Sequence, residues 1–210
     1  SCTDDRVLSI LSSSLNSILN DITNPNVTLF TLLMQCIQKC IYTKSALIIR
    51  SVIEVGSHIS AEILATNNVL TSSFEYFSNF LKNNLGISKQ KEFVETAESL
   101  KLVSYICRAL YIIGCLCRFH KALTQEQVSQ VCEIVQCYFN ASVPKIRSMV
   151  LQTVCDICVR DSSQTQKAKE LVQHAFKLGP PESVSGITFL KNLIEEESKA
   201  EDSADINDFH

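Results

Sequence analysis

The stretch YICRALYIIGCLCRFH, residues 105–120, holds the densest group of side chains that could do chemistry. It ends in His120, and its three cysteines are Cys107, Cys115 and Cys117. A further pair, Cys155-x-x-Cys158, follows later in the chain. Thiolates and imidazoles bind zinc, and a thiol beside a histidine can act as a nucleophile. Zinc binding and covalent catalysis are therefore the first two chemistries to weigh.

Helical placement of the cysteines argues against a zinc site. Structural zinc sites hold their cysteines on turns where the side chains converge, whereas these pairs lie in apolar stretches with helical periodicity. Cys115 and Cys117 would point about 200° apart around a helix. Cys36 and Cys40 share a helical face, but no His or Cys partner stands near them. We interpret the cysteines as small apolar core side chains in a reducing compartment.

Catalytic motifs are missing from the sequence. A catalytic cysteine needs a lowered pKa and a histidine partner, and the sequence brings no histidine beside a thiol. Neither GxxxxGK[ST], GxGxxG, HExxH nor GxSxG occurs, and 5 glycines leave little with which to build a phosphate-binding loop. We predict a protein that is not an enzyme, with no cofactor, no metal and no small-molecule substrate.

The overall composition favours an all-α protein. The 210 residues are 46% hydrophobic and include only 5 Gly and 4 Pro, fewer than sheet proteins with many tight turns usually need. The net charge of −3 shows no overall basic excess, although a local basic stripe could still bind DNA. The apolar segment IIRSVIEVG is too short and too charged to span a bilayer. We expect a soluble intracellular protein, and the first residue, Ser1, with the acidic last residues, suggests an excerpt of a larger array.

Apolar residues recur at helical spacing along the chain. The predicted helices cover residues 5–20, 27–43, 45–65, 70–84, 99–119, 124–139, 144–160, 163–178 and 183–199. Thr124 and Gln127 predict a capping box, and Pro144 is suited to a first helical turn. Gly86 is the expected C-cap of the fourth helix. Gly114 is expected to let a neighbouring helix approach closely.

The spacing of these helices predicts a repeat. In the second half every second helix recurs after roughly 40 residues, within the range of HEAT and armadillo repeats. A hairpin of antiparallel helices cannot bury its apolar face alone, so the hairpins must stack. We therefore predict an all-α, HEAT/armadillo-type α-solenoid of antiparallel helix pairs. Its parts are about two hairpins in residues 1–86, a polar linker at 87–98, about two and a half hairpins at 99–199 and an acidic tail at 200–210.

Basic residues recur at helix ends and edges in the second half. They are Arg108, Arg118, Lys121, Lys145, Arg147 and Arg160. Equivalent positions of a solenoid line up in space, so these cations are candidates for binding DNA phosphates or an acidic partner. Alternatively they stabilise helix C-termini, as Arg118, His120 or Arg160 would. The sequence leaves both interpretations open.

With these helices laid out, residues 106–120, ICRALYIIGCLCRFH, resemble the small–Leu–hydrophobic–hydrophobic–Gly–x–Leu–Cys–Arg helix of the cohesin loader, the Nipped-B/NIPBL family. Residues 187–202, ITFLKNLIEEESKAED, resemble a later block of that family, and residues 142–159 stand in the place of its repeat helix. The likeness in the first block is carried by Leu110, Gly114, Leu116, Cys117 and Arg118. The acidic-aromatic stretch that follows this block in the family, and the glycines of its next repeat helix, are absent here.

The resemblance implies a divergent HEAT-repeat segment of a nuclear, chromatin-bound protein that acts in sister chromatid cohesion. Such a protein binds cohesin subunits, namely the SMC heads and the kleisin, together with double-stranded DNA. It promotes cohesin loading and the cohesin ATPase and has no active site of its own. The alternative is a generic protein-interaction scaffold, either a condensin-type subunit or a transport or trafficking adaptor.

Overall fold

The computed structural model describes residue 34, residues 46–60 and residues 64–192. These residues are mostly helical, and none of them forms a β-strand. The prediction of an all-α protein is therefore confirmed for this part of the chain. The predicted helices at 5–20 and 27–43, Cys36 and Cys40, and the acidic tail lie outside the described residues.

Seven α-helices follow one another in residues 46–60 and 64–192, and the described residue 34 is helical as well. They are α1 (Ala46–Ser60), α2 (Leu64–Asn83), α3 (Ala97–Phe119), α4 (Gln125–Cys137), α5 (Pro144–Arg160), α6 (Thr165–Leu178) and α7 (residues 182–192). Short 3₁₀ turns occur at Leu85–Lys89, Tyr138–Asn140 and Ser162–Gln164. The predicted linker at 87–98 thus includes the end of one 3₁₀ turn and the non-helical residues 90–96.

Side-chain caps fix the starts of α3 and α4. The predicted capping box is confirmed, since Thr124 Oγ1 accepts from the Gln127 backbone N–H (3.2 Å) and Gln127 Oε1 accepts from the Thr124 N–H (2.9 Å). A second box, between Thr96 and Ser99, starts α3 two residues before the predicted position. Sequence reasoning missed it because a serine replaces the Glu or Gln of the usual motif. Pro144 begins α5, as predicted.

The end of α2 differs from the prediction. The helix ends at Asn83, and Gly86 lies inside the following 3₁₀ turn instead of capping α2. The amide of Asn84 donates to the Phe80 carbonyl (2.7 Å), so a side chain satisfies a terminal carbonyl that a glycine cap would leave to the backbone. A positive-φ glycine does follow α6, at Gly179 (φ 81°), where the predicted break occurs.

The helix α3 lies at the centre of the core. It packs against α1, α2 and α5, and every residue from Ala109 to Cys117 is buried. By length and apolar composition α3 could cross a membrane, but 67% of its most apolar window is buried inside the fold. Burial of this kind is usual for the core helix of a folded domain.

Contacts between α3 and α5 keep a nearly constant register. Cys107 Sγ lies 3.8 Å from the Lys145 carbonyl, and Arg118 Nη1 lies 3.2 Å from Asp156 Oδ1. In the turn directly after α3, the Lys121 carbonyl accepts from Arg160 Nη2 of α5 (2.9 Å). The paired residues are 38, 38 and 39 positions apart. From one contact to the next, the residue number increases on both sides of the pair, so α3 and α5 run parallel.

Candidate interaction surface

Gly114 lies where α3 meets α5 most closely. A Cβ atom at this position would lie 3.2 Å from Asp156 Oδ2 and 3.3 Å from Thr153 Cα. The predicted close approach of a neighbouring helix is therefore confirmed. Leu110, Leu116 and Cys117, which also carry the family likeness, have no exposed surface. The first family-like block is thus largely a packing surface.

An ion cluster around the buried Asp156 carboxylate lies beside Gly114 and joins three helices. The Asp156 side chain of α5 is 7% exposed, and its Oδ1 lies 3.2 Å from Arg118 Nη1 and 3.7 Å from Arg50 Nη1. Both guanidinium carbons lie over the ring of Phe119, at 5.1 Å for Arg50 and 5.7 Å for Arg118. Sequence reasoning missed Arg50 because its acceptor, Asp156, lies far away in the chain.

Arg147 is also engaged within the chain. Its Nε lies 2.6 Å from Glu182 Oε1, and its Nη1 donates to the Ala141 carbonyl (2.5 Å). Glu182 is 2% exposed, so this pair joins α5 to the start of α7 away from water. A guanidinium held in this way is poorly placed to bind a phosphate.

Arg160 and Arg108 occupy different environments. Arg160 donates from Nη2 to the carbonyls of Lys121 (2.9 Å) and Leu123 (3.4 Å), in the turn after α3. Arg160 therefore binds carbonyls that follow the C-terminus of α3. The helix-end interpretation expected a contact of this type, but at the end of Arg160's own helix, α5. Arg108 is half-buried, and burial lowers the pKa of its guanidinium, opposed by nearby Tyr111 and Cys107.

Lys121 and Lys145 are exposed, and Lys145 lies between two surface grooves. One groove, of about 690 Å³, lies between the segment 91–95 and the first turns of α3 and α5; we call it the loop groove. The other, of about 340 Å³, lies between α5 and α7; we call it the helix groove. Lys145 is the one candidate cation that lines either of these two grooves.

His120 is buried and does not act as a cation near neutral pH. Its Nε2 lies 3.1 Å from Thr71 Oγ1. Burial, reinforced by the charge of Arg160, lowers the pKa of His120 to about 4. The neutral ring therefore does not stabilise the C-terminus of α3 by charge, contrary to that part of the helix-end interpretation. Its Nδ1 is buried without a hydrogen-bond partner in the described part of the chain.

The cysteines of the opening stretch fill the core. Burial raises the pKa of Cys107 to about 11 and of Cys115 to about 12, and it raises the pKa of Cys117 as well. Thiols of this kind are poor nucleophiles at neutral pH. Cys155 and Cys158 are buried too, whereas Cys137 is exposed. In the described ranges no three His, Cys, Asp or Glu side chains converge in a way that could hold a metal ion.

Comparison with known proteins identifies no relative. No family model, no curated protein and no solved structure matches the chain.

Proposed function

We propose that the chain is a non-catalytic HEAT-type α-solenoid segment of a nuclear cohesin-loading factor. In this role it binds the cohesin complex and DNA and promotes cohesin loading and the cohesin ATPase. The observation that carries the solenoid is the parallel register of α3 and α5, offset by 38 to 39 residues. This offset is close to the roughly 40-residue period of HEAT repeats.

Contacts outside this helix pair support a similar repeat length. Gln125 lies 36 residues before its partner Asp161, and Ser129 lies 35 residues before Gln164. Arg147 and Glu182, on α5 and α7, are also 35 residues apart. Contacts at one recurring separation are expected when equivalent helices of successive repeats stack on one another.

The cohesin-loader assignment draws on the sequence resemblance, and the structure gives its residues a role. Gly114, Leu110, Leu116 and Cys117 pack, while Arg118 pairs with Asp156 of the next parallel helix. The resemblance therefore supports a shared repeat fold more directly than shared partners.

The generic protein-interaction scaffold is the second candidate, and one observation favours it. Arg118, Arg147 and Arg160 all bind acceptors within the chain. Fewer cations are then available for phosphates than the sequence suggests. Lys121 and Lys145 are the exposed lysines of the set, so they are the ones available to bind DNA or an acidic partner.

The test combines Lys121→Glu with Lys145→Glu. We expect the double variant to bind a 30-bp duplex about tenfold more weakly than the wild type and with a salt slope reduced by about two. The matched control reverses Lys169 and Lys177, exposed lysines of α6 outside the candidate set. Fluorescence anisotropy at several salt concentrations measures both quantities.

Cohesin binding is measured separately with purified SMC heads and kleisin. Binding of these subunits together with stimulation of their ATPase by the full-length protein would support the loader assignment. Binding of the subunits without any affinity for DNA would favour the scaffold alternative. Binding of neither subunits nor DNA would reject the proposed function.

A further inference from the structure

Lys145 stands on a ridge between two grooves that together cross the start of α5. The loop groove lies on one side, and its lining includes Leu100, which is 47% exposed. The helix groove lies on the other side, and its lining includes Val184, which is 58% exposed. Lys145 lines both. An apolar, a cationic and a second apolar position therefore follow one another across this face.

The start of α5 favours a negative charge at the ridge. Val143, at the N-cap position, provides no side-chain hydrogen bond, and the first turn contains no acidic residue. The positive end of the helix dipole and the ammonium group of Lys145 therefore act together on whatever lies there. In the helix groove wall, Ser148 Oγ is buried without a hydrogen-bond partner in the described part of the chain.

The surroundings of Lys145 fit a protein segment better than a DNA backbone. Glu92 and Glu95 line the loop groove together with Lys91 and Lys145, so its charges balance and do not form the continuous basic track that a row of phosphates needs. The same groove contains Phe93 and Leu100, whose apolar surface is stabilised by contact with apolar side chains and not by contact with phosphates. A peptide with one carboxylate and flanking apolar side chains matches both the charge of Lys145 and the apolar residues that line the two grooves.

We propose that a segment of a protein partner, with an acidic residue between two apolar residues, lies across the first turn of α5. Its carboxylate lies at Lys145, and its apolar side chains lie in the loop groove and the helix groove. The inference deepens the proposed function, because Lys145 belongs to the candidate surface described above. It rests on that function only for the identity of the partner.

A labelled peptide tests the inference on the full chain. The probe carries fluorescein, one glutamate and a leucine three residues to either side, so that the leucines are about 20 Å apart when the peptide is extended. Its partner peptide has lysine in place of the glutamate. We expect the glutamate peptide to bind the wild type at least tenfold more tightly than the lysine peptide.

Variants of the protein locate the binding. Lys145→Glu should lose about tenfold in affinity for the glutamate peptide and gain affinity for the lysine peptide. Leu100→Asp and Val184→Asp should each weaken binding of the glutamate peptide. Lys177→Glu, on α6 outside both grooves, is the matched control and should leave binding unchanged. Far-UV circular dichroism confirms that each variant is folded.

Three results would overturn the inference. They are equal affinity of the two peptides, an unchanged affinity in Lys145→Glu, or loss of DNA binding in Lys145→Glu while peptide binding persists. The last result would make Lys145 a DNA contact. Peptide binding with the expected dependences, but no binding of purified cohesin subunits, would reject the cohesin proposal and support this inference.

Discussion

Arg118 and Asp156 lie 38 residues apart in the chain, and Arg118 Nη1 lies 3.2 Å from Asp156 Oδ1. The carboxylate is almost fully buried beside Gly114, where α3 and α5 are close together. One ion pair thus joins the two parallel helices at the point where their backbones approach. Arg50 brings α1 to the same carboxylate.

Removing the charge of Asp156 should destabilise the fold. We expect Asp156→Asn to lower the free energy of unfolding by about 2 kcal/mol, because two guanidinium groups then lack their buried counter-charge. Urea denaturation measures the change. The double variant with Arg118→Gln should lose about 1 kcal/mol less than the sum of the single variants. Strict additivity would show that Arg118 and Asp156 do not stabilise the fold through each other.

A side chain at Gly114 should separate α3 from α5. Gly114→Leu places atoms where a Cβ alone would already lie 3.3 Å from Thr153 Cα, so the helices must move apart. We expect a loss of about 3 kcal/mol in the free energy of unfolding, measured by urea denaturation. Gly86→Leu is the control, since no atom lies within 4 Å of its Cβ position. Equal effects of the two substitutions would contradict a special role for Gly114.

Alkylation should distinguish the buried cysteines from the exposed one. In a variant with serine at positions 2, 36 and 40, iodoacetamide at pH 7.5 should modify Cys137 and leave Cys107, Cys115 and Cys132 unmodified in the folded state. The reason is burial, which also raises the pKa of Cys107 and Cys132 to about 11. Mass spectrometry of tryptic peptides gives the extent at each site. Rapid modification of Cys115 before unfolding would contradict its placement in the core.

Burial of His120 should make stability depend on pH. Its pKa is about 4 in the folded state and near 6.5 in an unfolded chain, so the unfolded state takes up the proton first as the pH falls. This contribution is complete above pH 6.5 and is lost between pH 6.5 and 4, by ~2–3 kcal/mol. His120→Gln should show a flatter stability profile over that range, measured by urea denaturation at successive pH values. Parallel profiles for variant and wild type would exclude His120 as the group responsible.

Much of the local structure was predictable because its causes are local. The apolar periodicity predicted helices close to α3, α5 and α6, and Thr124 with Gln127 predicted the start of α4. The misses have local reasons too. Ser99 completes a capping box, although the usual residue at its position is Glu or Gln. Asn84, and not Gly86, provides the hydrogen bond at the end of α2.

The candidate surface was less predictable, because a cation's role depends on its acceptor. The sequence named Arg118, Arg147 and Lys145 together as equal candidates. Arg118 and Arg147 instead pair with Asp156 and Glu182, which are 38 and 35 residues away. Nothing in the local sequence indicates an acceptor at such a distance.

By itself the sequence determined the all-α class and the approximate positions of several helices, because these follow from the types of the side chains and the spacing of the apolar ones. It also determined that Gly114 is a point of close approach, since few other residues allow helices to pack so closely. Only the tertiary structure decided which cations are neutralised and which face solvent. Lys145 differs from the other candidate cations because it lines two grooves whose walls come from α3, α5 and α7. These helices are distant in the chain and form the grooves only when they pack together.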